Sequence, residues 1–288
     1  MTLSGQEFHD LCEQHDLGAH AGALQAWLQA RIGYSRGDDA AAAVGASRIG
    51  GGPDVPSGFE WPTHNGRVLD FMLQVNLADL QGLVSDLELP GQGVMAFFYD
   101  VQGQPWGFDP AHVGGHRVYL FENQDLHRLP VPDAAMELPP SSLAFHQAWS
   151  LPQPYSMESE ALLGVLAASG SEVDEDSYEA LVDAVSDHGA PIAGQRHVLG
   201  GYPSSIQGDM KLEAQLVSHG ICCGHPEGYE DPRRAELEEG AHDWRLLLQM
   251  DSDDDAMWGD SGILYWWIRR EDLAARDVSR TWLGLQCS

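Results

Sequence analysis

Asp251, Asp253 and Asp255 alternate along Asp251-Ser252-Asp253-Asp254-Asp255, the spacing of the first three ligands of a calcium loop. The pattern then fails. Ala256 stands where the sharp-turn glycine belongs, and Gly262 where a bidentate glutamate belongs. A weak surface cation site is the most this loop offers. His219-Gly220-Ile221-Cys222-Cys223-Gly224-His225 carries zinc-type donors, but the second ligand pair is missing. Adjacent cysteines also diverge, so a tetrahedral site would need distant help from a residue such as His242. The sequence contains no Gly-x-Ser-x-Gly elbow, no phosphate loop ending in Lys-Ser/Thr and no His-Glu-x-x-His helix. Gly50-Gly51-Gly52 is followed by Pro53, which has no N–H to offer a phosphate. These residues assign no catalytic group, no metal ligand and no cofactor, and the reading leans away from an enzyme.

Trp258-Gly259-Asp260-Ser261-Gly262 joins the acidic loop to an aromatic run. Asp260 could stand at a pocket rim with Trp258 as a stacking wall, or the segment could be a tight turn with the Asp capping backbone N–H groups. Asp109, in Trp106-Gly107-Phe108-Asp109-Pro110, invites the same two readings. Gln74 and Gln249 interrupt apolar runs at equivalent points, and a buried amide must find a hydrogen-bond partner. Both could face one cleft with Gln207 nearby, or satisfy backbone groups or each other. The candidate ligand cleft is therefore Gln74, Gln207, Gln249, Trp258 and Asp260, with Asp260 the only member suited to acid or base work.

The elements that would position these residues come in two similar sets. Leu69-Asp70-Phe71-Met72-Leu73-Gln74-Val75-Asn76-Leu77 leads to Gly93-Val94-Met95-Ala96-Phe97-Phe98-Tyr99. Leu246-Leu247-Leu248-Gln249-Met250-Asp251 leads to Gly262-Ile263-Leu264-Tyr265-Trp266-Trp267. A glycine-proline element precedes each, Gly50-Gly51-Gly52-Pro53 and Gly200-Gly201-Tyr202-Pro203. Order, residue type and punctuation all recur, which indicates an internal duplication around a pseudo-two-fold axis. Compact apolar runs over 71–77, 94–99, 117–121, 245–250, 263–268 and 282–286, bounded by Gly, Pro or Asp, predict short strands.

Leu162, Leu163, Val165 and Leu166 mark one helix and Tyr178, Leu181, Val182 and Val185 another, with an N-cap in the acidic stretch Ser171 to Asp176. A third helix is expected over 211–218. Leu24, Trp27, Leu28 and Ile32 recur at helical spacing, and an alanine tract from Ala40 to Ala43 follows them, so residues 1–45 are expected to form a helical leader. Leu129 to Pro154, rich in proline, reads as a connection between halves. The expectation is an α+β fold: a largely antiparallel, short-stranded sheet made of two intertwined copies, with flanking helices. The body spans 46–288, with pseudo-repeats at about 46–128 and 196–288.

With those blocks laid out, the chain resembles the YwqG-like family, also known as the domain of unknown function DUF1963. The resemblance is carried by Gly51-Gly52-Pro53, Trp61-Pro62, Phe71-Met72-Leu73-Gln74, Leu89-Pro90, Phe97-Phe98-Tyr99-Asp100 and Trp106-Gly107-Phe108-Asp109-Pro110. It continues through Gly200-Gly201-Tyr202-Pro203-Ser204-Ser205-Ile206-Gln207, Leu247-Leu248-Gln249 and Met257-Trp258-Gly259-Asp260-Ser261-Gly262. It covers roughly residues 45 to 288. It implies an internally duplicated α+β fold and brings no established activity, cofactor or catalytic residue.

Charge bounds the partners. The chain has 288 residues, and 44 Asp and Glu stand against 15 Lys and Arg, for a formal net charge of −29. Such a surface repels phosphate backbones and anionic lipid, which argues against nucleic acid and membrane partners, and it steers a basic protein inward. Acidity also serves simple solubility. No 18 apolar residues run together, so no membrane-spanning helix is expected. The N-terminal residues lack the pattern of a secretory signal, and Cys12, Cys222, Cys223 and Cys287 have no disulfide-framework spacing, so cytoplasmic residence is expected. The leading functional expectation is a non-enzymatic acidic interaction module for a basic protein partner, of which an immunity- or antitoxin-like role is one form. The alternative is a small-molecule-binding protein or enzyme with a polar cleft between the duplicated halves.

Overall fold

A computed structural model describes residues 3–38, 42–122, 125–168 and 173–288. Parts of two expected features, the alanine tract at 40–41 and the start of the acidic stretch at 171–172, lie outside the described residues. Ten strands form one sheet: β1 (Gln29–Arg36), β2 (Arg48–Ile49), β3 (Asp70–Asn76), β4 (Val94–Tyr99), β5 (His116–Phe121), β6 (Ser141–Ser150), β7 (Val198–Leu199), β8 (Trp244–Asp251), β9 (Ile263–Arg269) and β10 (Trp282–Gln286). Their order across the sheet is β10-β9-β8-β7-β1-β6-β2-β3-β4-β5, and every described pairing in it is antiparallel. The protein is therefore an α+β, largely antiparallel sheet protein.

The order is a near-palindrome of two copies, β1 to β5 and β6 to β10, and the copies are interlaced. Strands β1 and β6 pair with each other at the centre, from Gln29↔Ser150 to Arg36↔Leu143. Each short strand then lies between its own copy and the other. Ile49 of β2 pairs with Leu73 of β3 and with Ser141 of β6. Val198 of β7 pairs with Gln249 of β8 and with Gly33 of β1. The duplication extends to irregularities: β3 bulges between Phe71 and Leu73, and β8 bulges between Leu246 and Leu248, each just before its glutamine.

Alternation along the strands builds a core on both faces. Met95, Phe97 and Tyr99 of β4 and Leu264, Trp266 and Ile268 of β9 point into one central cluster. Phe97 pairs with Leu73, and Trp266 with Leu248, so they are equivalent residues of the two copies. They meet edge to face across the pseudo-axis, with ring centroids 5.6 Å apart. The opposite face is covered piecewise. Phe71, Ala96 and Phe98 pack under Phe59 and Trp61, while Tyr265 and Trp267 pack under α5 (Lys211–Ser218). Beside the central pair, Leu151 and Trp149 meet α1 (Gly5–Gln14), α2 (Ala21–Gln25), α3 (Met157–Ala168) and α4 (Glu175–Asp187).

The sheet curls until its ends meet, approaching a barrel. Leu285 N donates to Trp106 O at 3.0 Å, and Trp282 Nε1 donates to Gly107 O at 2.9 Å. Gly107 has φ +95°, and a Cβ there would lie 2.1 Å from Leu283 O, so only glycine permits this closure.

The six strands expected from apolar runs are present, as are the helices at 162–166, 178–185 and 211–218. Asp174 is the N-cap of α4, its side chain accepting from Ser177 N. The helical reading of residues 1–45 holds only in part. Ser4 and Glu7 form a capping box on α1, but after α2 the chain turns and becomes β1, so Ile32 is a central strand residue. Likewise β6 runs through the middle of the stretch read as a connection. The pseudo-repeats accordingly reach back to include β1 and β6.

Because both copies line one central cluster, Phe97→Ala and Trp266→Ala should each cost about 3–5 kcal/mol and lower the midpoint of a single unfolding transition. Denaturant titrations followed by circular dichroism and tryptophan fluorescence check this. Two separated transitions would show that the halves fold apart.

Candidate functional site

The two glutamines occupy duplicated positions and do the same job. Gln74 is fully buried; its Oε1 accepts from Asp54 N at 2.8 Å, and its Nε2 donates to Ala46 O at 2.9 Å and to Asp54 Oδ2 at 2.7 Å. Gln249, also fully buried, accepts from Ser204 N at 2.9 Å and donates to Arg196 O at 2.7 Å. Residues 46 and 54 flank Gly50 as 196 and 204 flank Gly200. Each amide thus ties together the two ends of a turn whose paired glycines, Gly50-Gly51 and Gly200-Gly201, all have φ between +64° and +74°. Asp54, itself buried, is further held by Arg128, whose Nε donates to Oδ1 at 2.9 Å.

The other members of the expected cleft lie apart from these amides' polar ends. Gln207 is exposed on the loop after Tyr202-Pro203, where its backbone N donates to Gln286 Oε1. Trp258 is buried in the central cluster, and its Nε1 donates to Asp251 O at 3.1 Å. Asp260 is exposed at the tip of the β8–β9 turn, and its carbonyl accepts from Ser288 N. None of the five lines any of the cavities described below.

The acidic loop is engaged by cations of its own chain. Arg36 Nε lies 2.8 Å from Asp253 Oδ2 and 3.3 Å from Asp255 Oδ2. Burial pushes the Asp253 carboxyl up, but the His197 ring 3.6 Å away and the hydrogen bond from Arg36 outweigh it and hold the group well below its ordinary value. The guanidinium thus supplies at this loop the charge a cation would bring. Cys222 is exposed, with Sγ 3.5 Å from Asp109 Oδ2, while Cys223 is buried, so the adjacent thiols do point apart. Asp109 makes the Asx-type contact weighed for it, accepting from Ala111 N at 2.8 Å.

Two features had no signal in a linear reading. The first is a cavity of about 310 Å³ lined by Gln29, Asp86, Glu88, Arg245, Arg270 and Leu273. Residues 81–91 of the first copy form one wall, pinned by Gly201 N donating to Asp86 Oδ1 at 2.7 Å and by Gln147, which both accepts from and donates to the backbone of Val84. Strand β8 and the helix Arg270–Ala274 of the second copy form the other wall. Burial raises the Asp86 carboxyl despite the Gly201 N–H. Beneath the same segment lies a second cavity of about 290 Å³, with Ile32, Leu77, Leu80 and Leu87 among its lining residues.

The second feature is Tyr155, which is 70% exposed and held at φ +63°, a conformation that costs a non-glycine residue free energy. A hydrogen bond to the Glu175 carboxylate holds its phenol above its ordinary value, and Glu179 and Asp176 add to the effect. Glu175, Asp176 and Glu179 are exposed on α4, and among the described residues no Lys or Arg forms an ion pair with them.

An interlaced duplication of five strands, curled toward a barrel and clamped by two buried amides, defines a class of α+β sheet protein. The chain belongs to the family called domain of unknown function (DUF1963), which matches residues 47–287. No curated protein matches the chain.

Replacing either clamp by an isostere, Gln74→Leu or Gln249→Leu, leaves buried backbone groups unpaired and should cost about 1–3 kcal/mol, whereas Asp260→Asn on the exposed turn should change stability by less than about 0.5 kcal/mol. Urea denaturation distinguishes the two classes. Leucine variants as stable as the parent would remove the clamp.

Proposed function

We propose that this protein is a non-enzymatic binding module that presents an acidic surface to a basic protein partner, with immunity- or antitoxin-like neutralisation as one concrete form. The observation that carries the reading is Tyr155, an exposed aromatic held in a costly backbone conformation beside carboxylates that no cation of the chain pairs with. Exposed aromatic residues are the commonest anchors of protein interfaces, and surrounding charge raises the association rate. The internal use of cations sharpens the field. Arg36, Arg67, Arg128, Arg196, Lys211 and Arg280 are bound to carboxylates of the same chain, and Arg31 and Arg48 are buried. Four free cysteines suit a reducing compartment, and among the described residues no helix is long and apolar enough to cross a membrane, so this reading puts the protein in the cytoplasm. The narrower likeness to YwqG-like proteins, carried by the motifs quoted above, belongs to the same proposal.

Capture from the source cell on immobilised protein should return a basic polypeptide released by raising salt from about 0.05 to 0.5 M. Tyr155→Ala should then weaken it about tenfold, mainly through faster dissociation, and Glu175→Lys with Glu179→Lys should slow association. A neutral or acidic partner, or one indifferent to all three substitutions, counts against the proposal.

The polar cavity favours a second reading, a small charged ligand held between the copies. Arg245 Nη1 donates to the carbonyls of His242 and Trp244, and among the described residues neither Arg245 nor Arg270 forms an ion pair with a carboxylate. On this reading, small dicarboxylates and amino acids raise the melting temperature of the parent but not of Arg245→Gln/Arg270→Gln. An equal response of parent and variant excludes the cavity as their site.

A further inference from the structure

A separate cavity lies on the other side of β1, between α4 and the turn that follows it. Its walls include Arg31, Gly33 and Tyr34 of β1, His146 and Ala148 of β6, and Ser186 of α4. His197 and Val198 close one end, and residues 190–192 cover it. Its volume is about 10 Å³ for the centre of a water-sized sphere, room for one small occupant and no more.

Four buried polar atoms of its wall have no hydrogen-bond partner among the described residues: Arg31 Nε, His146 Nδ1, Ser186 Oγ and His197 Nε2. Buried polar atoms are nearly always paired, so four on one small cavity call for a common partner. Arg31, Ser186 and His197 are each more than nine-tenths buried. His197 Nδ1 accepts from Asp251 N at 3.0 Å, which leaves the ring proton of the neutral imidazole on Nε2. Asp253 Oδ2 is 3.6 Å from that Nε2, beyond good hydrogen-bond reach. The ring of His146 lies against Gly33, where a Cβ would come within 2.2 Å of Nε2, so glycine is what admits the imidazole.

The charge balance selects the kind of partner. Arg31 is 1% exposed; among the described residues it makes one hydrogen bond, Nη1 to Tyr202 O at 3.1 Å, and pairs with no carboxylate. Burial presses its guanidinium down to about 9, with Arg196 lowering it further and Asp187 opposing, so it remains charged at neutral pH. Asp187 is taken by Arg196 and by Gly194 N, and Asp253 by Arg36. A buried cation thus faces a cavity ringed by groups able to donate, and a neutral water there would leave its charge uncompensated.

We infer that this cavity binds a single halide-sized anion, chloride, held by Arg31, Ser186 and His197 with His146 completing the ring. The tightness of the space favours a monatomic anion over phosphate, sulfate and organic carboxylates. Thermal unfolding in sodium chloride and in sodium gluconate at equal ionic strength separates specific binding from the general screening of a chain with net charge −29. Chloride should raise Tm by at least about 2 °C over gluconate. Ser186→Ala should reduce that difference, and Arg31→Met should abolish it. Crystals grown in chloride should show an anomalous peak in the cavity at long wavelength. Equal melting in both salts with no anomalous peak there overturns the inference, as does a peak only at another position. Should Arg31→Met fail to fold, Ser186→Ala and the anomalous map decide it by themselves.

Discussion

The antiparallel pairing of Gln29–Arg36 with Ser141–Ser150 is the constraint on which the rest of the structure depends. It joins the first strand of one copy to the first strand of the other, and only then do the two-residue strands Arg48–Ile49 and Val198–Leu199 have neighbours on both sides. A two-residue strand contributes too few hydrogen bonds to hold itself. Its place is set by what lies beside it, and in each copy one of those neighbours is borrowed. Neither copy is complete alone, and the shared interior around Phe97 and Trp266 follows from that exchange.

The buried glutamines belong to the same logic. A turn built on two successive left-handed glycines is expensive in conformational entropy, because glycine loses the most freedom on folding. Gln74 and Gln249 offset that cost by hydrogen-bonding both ends of each turn from within the core, where such bonds are strong and their loss severe. Their burial also explains why they interrupt otherwise apolar strands. What looked like a polar element of a ligand cleft is matched in both copies by a backbone task.

Symmetry is broken where the chain has groups to spare. In one copy the segment after the long strand, residues 81–91, folds back over the central strands and leaves a polar cavity against Arg245 and Arg270. In the other copy the corresponding segment is the acidic loop, held down by Arg36. The side with α4 carries both the exposed Tyr155 edge and the small cavity around Arg31. Duplicated elements supply the frame, and the unduplicated helices and loops supply the chemistry.

The chain by itself determined the long outer strands of each copy, their flanking helices and the fact of duplication. These are local patterns: compact apolar runs within 71–76, 94–99, 244–250 and 263–268 need no distant partner to be recognised. The two central strands were not legible. Gln29-Ala30-Arg31-Ile32-Gly33-Tyr34-Ser35-Arg36 carries charge and glycine, and Ser141–Ser150 scatters Leu143, Phe145 and Trp149 among small and polar residues beside prolines, so neither shows the compact apolar run of the outer strands. Each becomes one because the other lies beside it, more than a hundred residues away. The same holds for the partners of Gln74 and Gln249, for the cation at the acidic loop, and for the convergence of Arg31, His146, Ser186 and His197. Those are distances between residues remote in sequence, and only tertiary structure sets them.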